Sequence, residues 1–289
     1  MRPILLLGPD LADPALSAFG EYLTNCGVPH VACSDLTRIK FAYTIGRNGY
    51  TNVRLDVPGL GSFADDEIAV LVRKAWAFPG RAGTDSAERF AAREYYSSWW
   101  TLCASLPYVV NRPGRWAWLT EREAWHRLAT SVLPEYWTSA PGELPGRWAM
   151  AGSAETHVED LVGFTGRVFS RRDDLSAWAA SRPAPHVRAI FAPSSRYLLQ
   201  ICVGGVPIAV RNETDIDVCT PKHQSRMRNI LQRLEVLGLE FFGVAMVAGE
   251  DGVPYVTRIV SDPPYLWYRS CAEEIHQLLC ARLQQSMIA

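Results

Sequence analysis

Residues 238–264 read GLEFFGVAMVAGEDGVPYVTRIVSDPP, in which two apolar runs flank a turn rich in glycine and acidic residues. This pattern predicts a β-hairpin. Apolar residues precede the hairpin at steps of three and four, the spacing of an amphipathic helix; they are Met227, Ile230, Leu231, Leu234 and Leu237. The predicted order is therefore a helix, a Leu-Gly-Leu link, a strand, an acidic turn, a second strand and two prolines.

The composition is that of an ordinary globular protein, with 48% hydrophobic and 20% charged residues. The net charge of -1 predicts no general attraction to nucleic acid or to an anionic membrane. The seven cysteines are scattered and form no Cys-x-x-Cys motif, so we expect reduced core residues in a cytoplasmic protein. The apolar run at residues 4–7 is too short for a signal peptide or a membrane span.

The first third of the chain predicts an α/β layer. A strand at residues 3–8, a helix at 14–25 and a strand at 28–33 follow one another. A helix is predicted at 86–106, where Trp99 and Trp100 are compatible with a binding surface or with core packing. Aromatic residues at helical spacing are more often part of a core, so core packing is favoured for these two tryptophans.

Later segments have a recognisable order. A short strand ends in VNRP at residues 110–113, a helix is predicted at 120–132, and LPEYWT follows at 133–138. Residues 141–153, rich in proline and glycine, are predicted to be a loop. Residues 196–211 predict a hairpin that turns at Gly204 and Gly205. Together with residues 238–264, this order resembles the RimK-type and graspetide-maturase branch of the ATP-grasp ligases.

The resemblance implies an α/β fold with an N-terminal three-layer domain followed by two α+β lobes that enclose a cleft. The domain ranges it implies are residues 1–112 for the N-terminal domain, 113–187 for the central lobe and 188–289 for the C-terminal lobe.

The resemblance also implies where magnesium would bind. ATP-grasp ligases join a carboxylate to an amine through an acyl-phosphate, and their magnesium ligands are an Asp on the first strand of the last hairpin and a Glu-x-Asn on the second. Ala245, Arg258 and Val260 occupy these positions here. Alanine and valine supply no ligand, and an arginine is electrostatically adverse to a dication. A shifted register would bring Glu240 or Asp262 into play.

The lysines that contact the nucleotide phosphates in such ligases have no counterpart in this chain. The first falls near Arg122, which could substitute as a cation, and the second falls near residues 158–160, where the charge is reversed. The purine-side glutamate falls near residues 188–189 and also has no match.

Other cations are candidates for an anion or substrate site. Arg196 and Arg211 flank the hairpin at 204–205, and Lys222 and Arg226 lie near the start of the following helix. The alternative is that they are solvated strand ends and a solvated helix start. His157, close to Glu155, Glu159 and Asp160, is compatible with a metal or acid–base site, but an exposed loop is favoured for this polar segment.

The leading hypothesis is a protein of ATP-grasp ancestry without magnesium–ATP catalysis, acting as a binding or partner protein, or as a divergent enzyme, in peptide or metabolite modification. Its partner would be a peptide or a companion ATP-grasp ligase, and the oligomeric state stays open, a homo-oligomer included. The alternative is an active ATP-dependent carboxylate–amine ligase with relocated ligands; only that reading requires ATP and magnesium as cofactors. A third is an unrelated α/β binding protein.

Overall fold

The structure is a computed structural model that describes residues 1–45, 51–74, 86–112, 133, 135–160, 165–181, 186–214, 216–236, 238–249 and 254–285. Its strands are β1 (Ile4–Leu7), β2 (His30–Cys33), β3 (Lys40–Ile45), β4 (Thr51–Val57), β5 (Gly61–Ala64), β6 (Ala69–Val72), β7 (Val109–Val110), β8 (Glu135–Thr138), β9 (Glu155–Asp160), β10 (Thr165–Phe169), β11 (Val187–Ala192), β12 (Leu198–Val203), β13 (Val206–Asn212), β14 (Phe241–Ala248) and β15 (Pro254–Val260). Its helices are α1 (Pro14–Asn25), α2 (Ser86–Ser105), α3 (Leu144–Ala151), α4 (Arg172–Ala180), α5 (Pro221–Glu235), α6 (Tyr265–Tyr268) and α7 (Ala272–Gln284).

The N-terminal part is a three-layer α/β unit, as predicted. Its parallel sheet has the order β2-β1-β6-β7. Alternate residues of β1 face opposite sides: Leu6 packs with α1 and α7, whereas Leu5 packs with α2 and with the antiparallel β3-β4-β5 sheet. Trp99 and Trp100 are buried in this second core, which confirms the core interpretation of the pair.

The central sheet has the antiparallel order β10-β9-β11-β8. Helices α3 and α4 cover one face through a core that contains Trp148, Val158 and Trp178. This leaves the other face of β9 and β11 turned away from the helices.

The C-terminal sheet has the antiparallel order β13-β12-β14-β15 and contains both predicted hairpins. Helix α5 covers one face through Met227, Ile230 and Leu234. Helix α7 packs near Ile201 on the other face and also reaches the N-terminal sheet, so it joins the two units.

The hairpin of β14 and β15 is fastened at its open end to the N-terminal unit by Asn111. The side-chain amide donates to the carbonyl oxygens of Phe241 at 2.8 Å and Ser261 at 3.1 Å. Its oxygen accepts from the backbone N–H groups of Glu240 at 3.1 Å and Phe241 at 2.8 Å. One buried side chain therefore ties the start of β14 to the end of β15.

Two loop predictions were wrong. Residues 144–151 form helix α3, because Pro145 lies in its first turn and Gly152, at φ 59°, ends it; both residues mark helix boundaries as well as loops. Residues 155–160 form strand β9, whose side chains alternate between partly buried and buried positions.

The cysteine prediction holds only in part, because Cys103 and Cys202 are buried but Cys26 and Cys219 are exposed. Within the ranges given above, no helix has the length and apolar character needed to cross a membrane. The predicted helix at 120–132 and the turn at 250–253 lie outside the described residues. So do residues 161–164, the first part of the segment 161–169 that resembles the glycine-bearing phosphate loop of ATP-grasp ligases and its following strand. The three domain ranges stay a prediction.

Candidate functional site

Two of the three positions that the resemblance assigns to magnesium, Ala245 and Arg258, lie in one row across the C-terminal sheet. Leu199 of β12 is paired with Arg211 of β13 on one side and with Ala245 of β14 on the other, and Ala245 is paired with Arg258 of β15. We call these four residues the Ala245 row; its two arginines stand about 14 Å apart, three strand spacings. Because α5 packs on the alternate residues, the row lies on the opposite face.

The side chains of this row do not fit a magnesium ion. Ala245 and Leu199 are buried and carry no oxygen donor, and Arg258 is an exposed cation. The remaining family position, Val260, is paired with Gly243. No magnesium ligand set can therefore be assembled from the three family positions.

Glu240 and Asp262, the alternative ligands, are engaged elsewhere. Glu240 is 4% exposed and lies 2.6 Å from Arg282, while Asp262 accepts from the backbone N–H of Lys74 at 2.9 Å. Burial raises the pKa of Glu240, against the effect of Arg282 and Arg112. Among the described residues, no group of three or more His, Cys, Asp or Glu side chains could hold a metal ion.

The opposite wall of the cleft is strand β9 of the central sheet. Since Val158 packs on α3 and α4, alternation turns Glu155, His157 and Glu159 toward the C-terminal sheet. Glu159 forms an ion pair of 2.6 Å with Arg188 of β11, its direct partner in the ladder. The negative charge of Glu159 is thus balanced within the sheet.

Glu155, His157, Tyr197 and Arg258 form a cluster that joins the two sheets; we call it the hinge cluster. The Tyr197 hydroxyl donates to the Glu155 carboxylate, and Nε2 of His157 lies 3.0 Å from the same hydroxyl oxygen. A hydroxyl has one hydrogen, so Nε2 of His157 is the donor in the second bond. Nε2 also lies 3.7 Å from the Glu155 carboxylate.

Burial and charge keep the hinge cluster in this protonation state. The side chains of His157 and Glu155 are only 12% and 14% exposed. Burial, helped by the positive charge of Arg258, lowers the pKa of His157 to about 4. Burial, followed by the hydrogen bond to Glu155, raises the pKa of Tyr197. At neutral pH the imidazole and the phenol are therefore both uncharged.

Arg196 and Arg211 come together at Glu213. Arg196 donates from Nε to the Glu213 carbonyl, whereas Arg211 donates from Nε to the Glu213 carboxylate at 2.8 Å. The Arg211 side chain is 62% exposed. Both cations thus have a partner on their own lobe, and their role as an anion site stays a prediction.

The other cations lie apart from these two. Lys222 and Arg226 belong to α5, the helix that covers the other face of the sheet. Lys222 is exposed, and the Arg226 guanidinium lies 5.3 Å from the ring centre of Tyr255 on β15. Arg122 lies outside the described residues. The structure therefore does not unite Lys222 and Arg226 with Arg211 in one site.

The sequence reasoning missed Tyr197 and placed Glu155 and His157 in a loop. The available signal was the alternation in ETHVED, residues 155–160, where Val158 points inward between polar neighbours. No sequence signal links residue 157 to residue 197.

We expect the free energy of unfolding to fall as the pH falls from about 6.5 to about 4. The cause is that unfolded His157 and His276 bind protons in this window while their folded forms do not. Burial lowers the pKa of His276 to about 4 in its contact with Phe19 and Tyr22. Between about pH 7 and about pH 5, each histidine should remove on the order of 2 kcal/mol.

Urea titrations of the wild type, His157→Gln and His276→Phe at these two pH values measure the effect. Each variant should show a smaller loss on acidification than the wild type. His186→Gln is the matched control because His186 is exposed. Equal wild-type stability at the two pH values would contradict the prediction.

Comparison with solved structures identifies the fold. A RiPP-associated ATP-grasp ligase of Chryseobacterium gregarium, in complex with ADP and a leader and core peptide, matches with a TM-score of 0.58 and 15% identity over 98% of this chain and 97% of that chain. The macrocyclase MdnC of Microcystis aeruginosa, bound with precursor peptide MdnA, matches at 0.61 and 13% identity over 96% and 99%. A RimK domain ATP-grasp protein of Sphaerobacter thermophilus matches at 0.55 and 19% over 96% and 100%.

No family model matches the sequence, and no curated protein matches it. The structural matches cover nearly the whole chain, which therefore has the ATP-grasp fold found in RiPP-associated ligases and in a RimK-domain protein.

Proposed function

We propose that this chain is a non-catalytic ATP-grasp protein that binds a peptide and acts as the partner of a catalytically complete ligase in peptide modification. The observation that carries the proposal is the Ala245 row, which offers no oxygen donor where magnesium would have to bind and carries an arginine instead. The peptide is proposed because the matched structures include ligases in complex with precursor peptides.

The charges of the cleft support the same proposal. Glu159 is paired with Arg188 and Glu213 with Arg211, and Glu155 is hydrogen-bonded within the cluster that also contains Arg258. Taken together, the two walls hold three acidic and three basic groups among these residues. Such a surface has little net attraction for the concentrated negative charge of a nucleotide triphosphate.

We expect calorimetry with ATP and magnesium to detect no magnesium-dependent binding at nucleotide concentrations up to about 1 mM. A dissociation constant above about 1 mM corresponds to a binding free energy weaker than about −4 kcal/mol. The physical reason is the missing ligand set at residues 245, 258 and 260. The same titration without magnesium separates a metal-dependent signal from weak nucleotide contact, and a cooperative thermal transition of the sample shows that it is folded.

Magnesium-dependent binding of about 10 µM or tighter would contradict the proposal. That result would favour the second function, an active ATP-dependent carboxylate–amine ligase with relocated ligands, acting on a peptide or a small metabolite. The partner can be sought in the gene neighbourhood, where we expect a short precursor peptide and an intact ATP-grasp gene. Arg196 and Arg211 remain our candidates for contacting an anionic group of the bound molecule.

A further inference from the structure

The segment that connects the central sheet to the C-terminal sheet is short and held at its end. Residues 193–197 join β11 to β12. The Tyr197 carbonyl accepts from the backbone N–H of Glu213 at 3.0 Å, which extends the β12–β13 ladder beyond Leu198. Tyr197 therefore moves with the C-terminal sheet, although it follows β11 by only a few residues.

The side chain of Tyr197 points back to the central sheet. Its hydroxyl donates to Glu155 and accepts from His157, both on β9, and the His157 and Tyr197 rings meet edge-on with centroids 6.1 Å apart. Glu155 and His157 of the central lobe thus hydrogen-bond to Tyr197 of the C-terminal lobe, next to the segment that connects the two lobes.

The hinge cluster also lies beside the Ala245 row. Tyr197 is two residues from Leu199, so alternation places both on the same face of the sheet. Arg258, at the end of that row, is close enough to contribute positive charge to the surroundings of both His157 and Tyr197, and its guanidinium lies 5.6 Å from the Trp267 ring centre. Side chains of the protein therefore bridge the cleft next to the positions assigned to magnesium.

We propose that the hinge cluster is a clasp: the hydrogen bond that Tyr197 donates to Glu155 and the one that it accepts from His157 fix the central lobe against the C-terminal lobe without any ligand in the cleft. A buried hydrogen bond to a carboxylate is stronger than a neutral one, and the neutral imidazole adds a second bond to the same oxygen. The clasp concerns lobe orientation and does not depend on whether the protein binds a nucleotide.

Limited trypsin digestion tests the clasp, because Arg196 lies in the connecting segment and is exposed. Cleavage after Arg196 gives fragments 1–196 and 197–289, which mass spectrometry distinguishes from cuts elsewhere. We expect Tyr197→Phe, which removes only the hydroxyl, to raise the rate of this cleavage about tenfold, since proteolysis follows the population of the opened state. Hydrogen exchange should accelerate in residues 193–197 and in β9, and remain unchanged in β1.

The chain offers a matched control with the same chemistry inside one lobe. The Tyr136 hydroxyl donates to the Glu143 carboxylate at 2.5 Å, and both residues belong to the central lobe. Tyr136→Phe should leave cleavage after Arg196 at the wild-type rate. Glu155→Ala should act like Tyr197→Phe, and the double variant should be no faster than the faster single variant, because both changes remove the same bond.

The clasp would be overturned if Tyr197→Phe and Glu155→Ala left cleavage and exchange at 193–197 within about twofold of the wild type, or if Tyr136→Phe accelerated them equally. Neither assay contains a nucleotide. A failure of the clasp therefore leaves the proposed function standing, and magnesium-dependent ATP binding would leave the clasp standing.

Discussion

Replacing Asn111 by alanine is expected to lower the free energy of unfolding by about 3–5 kcal/mol, the largest effect we predict for a single side chain. The amide makes four hydrogen bonds to backbone groups at residues 240, 241 and 261. Asn111 is 8% exposed, so water cannot replace these partners fully. Its φ of 55° adds a further cost for alanine, because asparagine tolerates the left-handed region better.

Urea unfolding followed by circular dichroism measures this loss, and Asn111→Gly separates its two causes. Glycine adopts a positive φ freely, so Asn111→Gly should lose the hydrogen bonds alone and be about 1 kcal/mol more stable than Asn111→Ala. Asn212→Ala is the control: its amide donates to the Ile216 carbonyl at 3.0 Å, but the residue is exposed. A loss below about 1 kcal/mol for Asn111→Ala would show that the four hydrogen bonds of Asn111 contribute little to stability.

The hairpins could be predicted because their signals are local. Each strand of residues 238–264 is a long apolar run, and a glycine pair marks the turn at 204–205. Strands that are adjacent in sequence and joined by a short turn usually pair with each other. The structure pairs Ala245 of β14 directly with Arg258 of β15.

The contacts of the cleft could not be predicted because they join residues far apart in sequence. His157 and Tyr197 are 40 residues apart, and neither belongs to a motif. The β9 strand was taken for a loop because charged residues occupy its cleft face. Helix α3 was missed because Pro145 and Gly152 were read as loop residues, although each also marks a helix end.

The hairpin of β14 and β15 therefore has two parts with different roles. Its open end is tied to the N-terminal unit by Asn111 and by Asp262, which accepts from the Lys74 N–H. Its middle, at Ala245 and Arg258, has no side-chain hydrogen bond to the N-terminal unit among the described residues, and these two side chains carry no oxygen that could bind a metal. The fold depends on the ends, whereas magnesium chemistry would depend on the middle. Substitutions in the middle can thus abolish metal binding while the hairpin keeps its place.

The second large effect is expected at Arg73, which is 1% exposed and holds the same end of the hairpin. Its Nε lies 3.2 Å from the Asp13 carboxylate, and Nη2 donates to the Pro263 carbonyl at 3.2 Å. Arg73→Met should cost about 3 kcal/mol, because it leaves the buried Asp13 carboxylate with Lys74 as its remaining cation. Urea unfolding measures the loss, and Arg54→Met, at an exposed arginine, should change stability by less than about 0.5 kcal/mol.

The pH dependence of this loss distinguishes the ion pair from simple packing. Burial tends to raise the pKa of Asp13, but Arg73, the Ala15 N–H and Lys74 outweigh it, and the pKa ends below its ordinary value. A lowered carboxylate pKa stabilises the fold above about pH 4, and that stabilisation is lost as the pH falls through the folded value. The difference in the free energy of unfolding between the wild type and Arg73→Met should therefore become smaller below about pH 4. A difference that stays constant with pH would assign the effect to lost packing of the arginine stem instead of to its charge.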